Sequence, residues 1–312
     1  MNNWISKILK VSEKIKKNIK KKFPTKAEIE DSQWFPLDCC GQAPILKTDL
    51  EEKLYVCPHC GHHKRLLRSK QRFDYFFGKN NYTMLDYPNP TPDPIGFPGY
   101  KDKLKAAIKK TGQKSAFEIC TGKINNLNVT AISSNFAFLG GSMGQHESEA
   151  FLSAIQFAIE NKQPVINFTT GGGIRVYENL VGLSQMTRTT LAVSELKKNN
   201  LPYINILSAP TAGGQAASYA MLGDLNIAEP GAIVAFAGAR VIKSTVNEEL
   251  PQGFQRSEYL LKTGFCDLIL KRSELREKIG SLLSILLHKN SDIRNELKNE
   301  ISEMTIQNKE AS

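Results

Sequence analysis

The stretch Pro164-Val-Ile-Asn-Phe-Thr-Thr-Gly-Gly-Gly-Ile-Arg175 decides the fold class. Its first half, through Phe168, reads as a short buried strand, which ends on three glycines. A helical pattern then fills Glu178–Lys198. The same order of strand, glycine turn and helix recurs on both sides. Upstream, Val129-Thr-Ala-Ile132 precedes Gly140-Gly-Ser-Met-Gly144 and a helical pattern over Glu147–Asn161. Downstream, Tyr203-Ile-Asn-Ile-Leu207 precedes Ala212-Gly-Gly-Gln215 and a helix expected over Gln215–Leu222. A last strand, Ala232-Ile-Val-Ala-Phe236, precedes Gly238-Ala-Arg240. This rhythm marks an α/β domain with ligand sites at its strand ends.

Glycine in such turns lets the backbone approach a ligand and aim N–H groups at an oxyanion. A single Gly-Gly pair is most simply a tight turn. None of the four stretches is a phosphate-cradling GxxxxGK[ST] or a GxGxxG, and no GxSxG nucleophile motif occurs. Together the turns favour catalysis by oriented backbone dipoles over a side-chain nucleophile.

The chain has 312 residues, 41% hydrophobic and 23% charged, which excludes a fibrous or disordered protein. Much of its net charge of +10 comes from a lysine-rich leader over residues 1–33. Trp4, Ile5, Ile8, Leu9, Val11, Ile15 and Ile19 are spaced to share one helix face there. The leader is read as a solvated tail or as a contact for an anionic partner, nucleic acid, membrane surface or acidic subunit. No cleavage pattern follows it and no run of about 20 apolar residues occurs, so a cytoplasmic location is expected.

Four of the six cysteines cluster in residues 34–68. Cys57-Pro-His-Cys60 is an intact CxxC knuckle, and two such knuckles make a C4 zinc ribbon. In the first knuckle Leu37 stands three before Cys40, where a ligand is required. Cys39, His59, His62 or His63 are the candidates to complete the shell with Cys40, Cys57 and Cys60; the alternative is a degenerate, metal-free knuckle. Leu54-Tyr-Val56 reads as a short strand. Residues 69–99, with the proline-rich Tyr87–Pro94, read as a linker. Residues 100–290 form the main domain and residues 291–312 a polar tail.

The order of motifs carries a resemblance. Phe136-Ala-Phe-Leu-Gly-Gly-Ser-Met-Gly144, Gly172-Gly-Ile-Arg175 with Glu178, Pro210-Thr-Ala-Gly-Gly214, Ser218-Tyr-Ala-Met-Leu-Gly-Asp-Leu-Asn-Ile-Ala-Glu-Pro230 and Leu250-Pro-Gln-Gly-Phe-Gln-Arg-Ser-Glu258 resemble the β subunits of bacterial-type acetyl-CoA carboxylase carboxyltransferase. The resemblance covers roughly Trp34 to His288. It implies a crotonase-like (ClpP/crotonase) fold of repeated ββα units with a zinc-ribbon-like domain at its N-terminal side. It further implies an α partner subunit of similar fold, two copies of each, and a biotin carboxyl carrier protein that delivers carboxybiotin. The reaction implied is carboxylation of acetyl-CoA to malonyl-CoA for fatty acid synthesis.

By position in that pattern, Gly213 and Gly214 are the expected oxyanion hole, with Gly172 and Gly173 as second choice. Arg175, Arg240 and Arg256 are candidates for the CoA phosphates or for subunit contacts, the alternative being surface or structural arginines, and structural zinc is expected on the cysteines. The chain departs from the family at Gly171 (usually Ser), Ile174 (Ala), Ala209 (Asp) and Leu37, and in Gln145–Glu149, where the family has a more apolar, glycine-containing run. Two rival readings are a carboxyltransferase or decarboxylase subunit for another acyl-CoA, and a nucleic-acid-binding protein.

Overall fold

The computed structural model describes residues 33–65, 68–247 and 251–287. The leader expected over residues 1–33, except Gln33, and the tail over residues 291–312 lie outside the described residues, as do the side chains of Arg240 and Val246. The chain divides into two units, Met1–Lys64 and Arg65–Ser312.

In the first unit β1 (Trp34–Leu37) pairs antiparallel with β2 (Gln42–Leu46), and α1 (Lys47–Glu52) follows. The hairpin turns through Gly41, at φ +67°, whose N–H donates to Leu37 O at 3.1 Å. A second turn has the same construction: Gly61, at φ +71°, donates to Cys57 O at 2.9 Å. Leu54-Tyr-Val56 is not a strand. Leu54 and Tyr55 sit at φ +55° and +59°, a conformation that breaks strand pairing, and only Val56 bridges, to His63.

The second unit is built on an eight-stranded sheet. β3 (Tyr82–Met84), β4 (Phe117–Ile124) and β5 (Leu127–Ser134) run antiparallel. β6 (Val165–Gly171), β7 (Tyr203–Ala212), β8 (Leu225–Ala228) and β10 (Leu268–Ile269) continue from β5 in parallel. Beyond a register shift after Thr169, β7 pairs with Gly171 on one side and with the short β9 (Val234–Ala235) on the other. The strand expected over Ala232–Phe236 is reduced to those two residues.

Successive residues of each strand serve opposite faces, as the pleat requires. Ile119, Ile132, Val165 and Tyr203 pack with α3 (Tyr100–Thr111), α4 (Gln145–Glu160) and α5 (Asn179–Lys198). Their neighbours Cys120, Ala131, Ile166 and Ile204 pack with α2 (Ser69–Phe77) and α8 (Arg272–Leu286). Both faces of the sheet are therefore buried, and the parallel strands read as apolar runs.

The expected linker over residues 69–99 is corrected at its start. Phe73, Phe76 and Phe77 of α2 are fully buried, with Phe76 edge-on to Phe168 at 4.9 Å, and β3 joins the sheet. The helix expected over Gln215–Leu222 is absent; turns and a 3-10 turn at Tyr219–Met221 replace it, and Ser218, at φ -130° and ψ -114°, breaks the helical path.

Among the described residues no helix is long and apolar enough to cross a membrane. Glu118 of β4 carries a proton more readily than usual: burial pushes its carboxyl up to about 7, against the opposing charges of Arg68 and Lys70. Because the unfolded chain ionises this group at lower pH, stability falls as pH rises from the ordinary carboxylate range through about 7. Glu118→Gln is expected to raise the thermal midpoint at pH 8 and to leave it nearly unchanged at pH 4, as measured by calorimetry at both values.

Candidate active site

Three glycine turns meet at the C-terminal ends of β5, β6 and β7. The turn 140–144 lies against the turn 171–175: Gly172 N–H donates to Gly140 O at 2.9 Å, Met143 N–H to Gly173 O at 2.9 Å and Arg175 N–H to Met143 O at 2.8 Å. The third turn, Gly213–Gly214, presses on the second. A Cβ placed on Gly213 (φ +63°) would lie 3.1 Å from Gly173 Cα, and one on Gly173 (φ +109°) would lie 3.5 Å from Gly214 N. Only glycine permits both the positive φ and this approach of backbone to backbone.

The main-chain donors are divided. Gly213 N–H donates to Ala235 O and Phe236 O, both at 3.0 Å, so it is not a free oxyanion donor. Gly172 N–H is taken by Gly140 O. That corrects one member of each pair expected from the sequence, since β9 and the first turn claim these amides. The N–H groups of Gly173 and Gly214 make no hydrogen bond to a described residue. One unspent donor thus remains on each of two apposed turns.

Behind the turns lies a buried ion cluster. Arg175 is 2% exposed and pairs with Glu147 at 2.8 Å and Glu178 at 3.5 Å. Its guanidinium also donates to Ser142 Oγ at 3.2 Å and to Tyr100 Oη at 3.2 Å, and Tyr100 donates to Glu178 at 2.7 Å. Glu147 accepts the N–H groups of Ala116 at 2.9 Å and Gly144 at 3.0 Å; Glu178 accepts that of Gln145 at 2.6 Å. Burial alone would raise the Glu147 carboxyl, but the Arg175 charge and those N–H groups hold it below the usual carboxylate range. The same carboxylates push the Arg175 pKa up against the effect of burial.

This arrangement removes Arg175 as a ligand for CoA phosphates, because its donors are already committed inside the protein. The side chain of Arg240 lies outside the described residues. Arg256 is exposed at the start of α7 (Ser257–Thr263), donating to Gly231 O at 3.3 Å.

Sequence reasoning missed Glu147, Tyr100 and Gln215 as members of the site. A carboxylate one turn into a helix is an ordinary capping signal, and only the fold reveals that it also meets Arg175. Gln215 is 0% exposed and donates to Gly141 O at 2.6 Å and Gly173 O at 3.2 Å.

In the first unit the sulfurs of Cys39, Cys40, Cys57 and Cys60 all lie within 4.8 Å of one another. Cys39–Cys40, Cys40–Cys57 and Cys60–Cys39 are separated by 3.9, 3.8 and 3.5 Å. A zinc ion bound by four thiolates at about 2.3 Å needs sulfurs about 3.8 Å apart, so the set fits. Leu37, in the position equivalent to Cys57, is buried at 2% exposure while Cys57 is at 1%. Burial works against the Cys57 thiolate, yet the N–H groups of Cys60 and His59 bring its pKa down to about 6.

Breaking the ion cluster from one side leaves an uncompensated buried charge. Glu147→Gln is expected to lower unfolding free energy in urea by about 3–5 kcal/mol, whereas Arg188→Met, at the half-exposed pair with Glu149, should cost about 1 kcal/mol or less.

Comparison with known proteins places the chain in a family. The family model described as the carboxyl transferase domain matches residues 90–299. The acetyl-coenzyme A carboxylase carboxyl transferase subunit beta of Pelagibacter ubique (strain HTCC1062) is 61% identical over 304 residues, 96% of each chain. The fold is shared with transcarboxylase 12S in a crystal structure with hydrolysed methylmalonyl-coenzyme A bound, at 21% identity and a TM-score of 0.59, over 69% of this chain and 40% of that one. It is shared too with the Pseudomonas malonate decarboxylase MdcD-MdcE hetero-dimer, at 16% identity and a TM-score of 0.55, over 69% of this chain and 85% of that one. The crotonase-like architecture is thereby established, and nothing in these comparisons points to nucleic acid as a partner. The chain belongs to the carboxyl transferase family, among the acetyl-coenzyme A carboxylase carboxyl transferase β subunits, and is a transferase.

Proposed function

We propose that this chain, joined to an α subunit of similar fold, transfers the carboxyl group of carboxybiotin to acetyl-CoA, giving malonyl-CoA for fatty acid synthesis in the cytoplasm. The observation that carries the reading is the pair of unspent N–H groups on Gly173 and Gly214, held on apposed turns at the strand ends. Carboxybiotin, when bound, would supply carbon dioxide and leave a ureido nitrogen able to take the proton of the acetyl methyl group. The resulting enolate carbon bonds to carbon dioxide, and the enolate oxygen is where negative charge develops. Donors fixed in advance toward that oxygen lower the barrier without reorganising. Gly213 and Gly172 shape the turns; Gly214 and Gly173 donate. Arg256, exposed, and Arg240 are the proposed contacts for CoA phosphates.

The partner face is proposed from exposure. Val176 stands in solvent just before α5, Leu180 and Leu183 along its first turns, and Phe236 beside Gly213, which donates to its carbonyl. Large apolar side chains in contact with water around an incomplete site mark an interface. The carrier protein presents its biotin at this shared edge. Zinc, held by Cys39, Cys40, Cys57 and Cys60, supplies structural cross-linking of the two knuckles.

Purified with its α partner, carboxybiotin carrier and acetyl-CoA, the protein should form malonyl-CoA. Turnover with a longer acyl-CoA and none with acetyl-CoA would favour the rival substrate. Gly213→Ala, whose Cβ would press on Gly173 Cα and displace the donor of that residue, should lower kcat in that assay by up to about 10²–10³-fold, the cost when an oxyanion donor is lost. Leu180→Asp should leave the isolated chain folded by circular dichroism and abolish co-elution with the α subunit. Metal analysis should return one zinc per chain, lost in Cys39→Ser and regained when Leu37→Cys is added to it.

A further inference from the structure

The side chain of Gln215 touches both other glycine turns while belonging to the third. It follows Gly213–Gly214, is wholly buried, and its Nε2 donates to Gly141 O at 2.6 Å and to Gly173 O at 3.2 Å. Among the described residues its Oε1 is buried without a hydrogen-bond partner. A buried amide oxygen left unsatisfied is costly, so something else must be gained by placing it there.

The gain is positional. Gly173 must keep its N–H free for the proposed oxyanion, so its turn can be anchored only through its carbonyl and its neighbours. Gln215 supplies that anchor together with Met143 N–H, which reaches the same carbonyl at 2.9 Å. The second Nε2 hydrogen bond ties the turn 140–144 to the same point.

The amide has room only because position 171 carries no side chain. A Cβ on Gly171 would lie 2.4 Å from Gln215 Oε1, 2.6 Å from Nε2 and 2.5 Å from Gly141 O. Any side chain at this position would collide with it.

We propose that Gln215 is a positioning residue for carboxyl transfer, holding the turns 140–144 and 171–175 to the Gly213–Gly214 turn, and that Gly171 is the socket this side chain requires. The proposal rests on the oxyanion reading above. It acts through the glycine turns, with no contact between Gln215 and substrate.

The test uses the assembled heteromer. Gln215→Met keeps length and bulk but cannot donate. It should lower kcat at least tenfold with KM for acetyl-CoA within twofold, and should speed amide hydrogen exchange in peptides spanning Gly140–Gly144 and Gly171–Arg175. Gly171→Ser alone should lose at least tenfold in kcat. Added to Gln215→Ala it should cost at least threefold less than it does beside Gln215, because the collision with the amide is gone and only that with Gly141 O remains. A Gln215→Met heteromer with kcat within twofold of the parent and unchanged exchange overturns the proposal. So does a Gly171→Ser penalty that is the same with Gln and with Ala at position 215. If Gln215→Met does not assemble, the serine pair decides. The parent enzyme's own turnover separates the two questions: a parent inactive on acetyl-CoA refutes the substrate reading, while the exchange measurements still judge the role of Gln215.

Discussion

A guanidinium removed from water has to be neutralised where it stands, and the way Arg175 is neutralised organises the region behind the catalytic turns. Its two carboxylate partners come from different places. Glu147 opens α4 and Glu178 precedes α5, so charge balance at one point fixes the entry of both helices. The same carboxylates collect the N–H groups of Ala116, Gly144 and Gln145, and the guanidinium holds Ser142. Buried ion clusters contribute less to net stability than to uniqueness, since any alternative packing strands a charge. Here the uniqueness is spent on aligning the turn 140–144 with the turn 171–175.

That constraint also explains part of what the sequence could and could not disclose. The strands around Val129–Ile132, Val165–Phe168 and Tyr203–Leu207 were legible because both sheet faces are buried and apolar runs result. α4 and α5 were legible from their spacing. The residues after Gly214 look helical by composition, yet the turns there and the backbone at Ser218 depart from that preference. Residues 69–77 looked like the start of a linker because Ser69-Lys-Gln-Arg72 is polar, while the three phenylalanines that follow bury themselves against the sheet. Donor accounting was not legible at all. Which of four glycine N–H groups is spent depends on β9 and on Gly140, partners remote in sequence.

Family departures that look like damage in a linear comparison have local explanations in three dimensions. The polar run Gln145–Glu149 contains the carboxylate that balances Arg175. Ile174 fills the space above Gly214, where a Cβ would come within 2.4 Å of Ile174 Cγ1. Leu37 occupies the buried corner of the first knuckle, and Cys39, two residues on, turns its sulfur into the cluster instead.

Val176, Leu180 and Phe236 remain 75, 73 and 72% exposed. Surface of that kind is tolerable only while it is covered, so a surplus of this chain in a cell would be sticky and open to proteolysis.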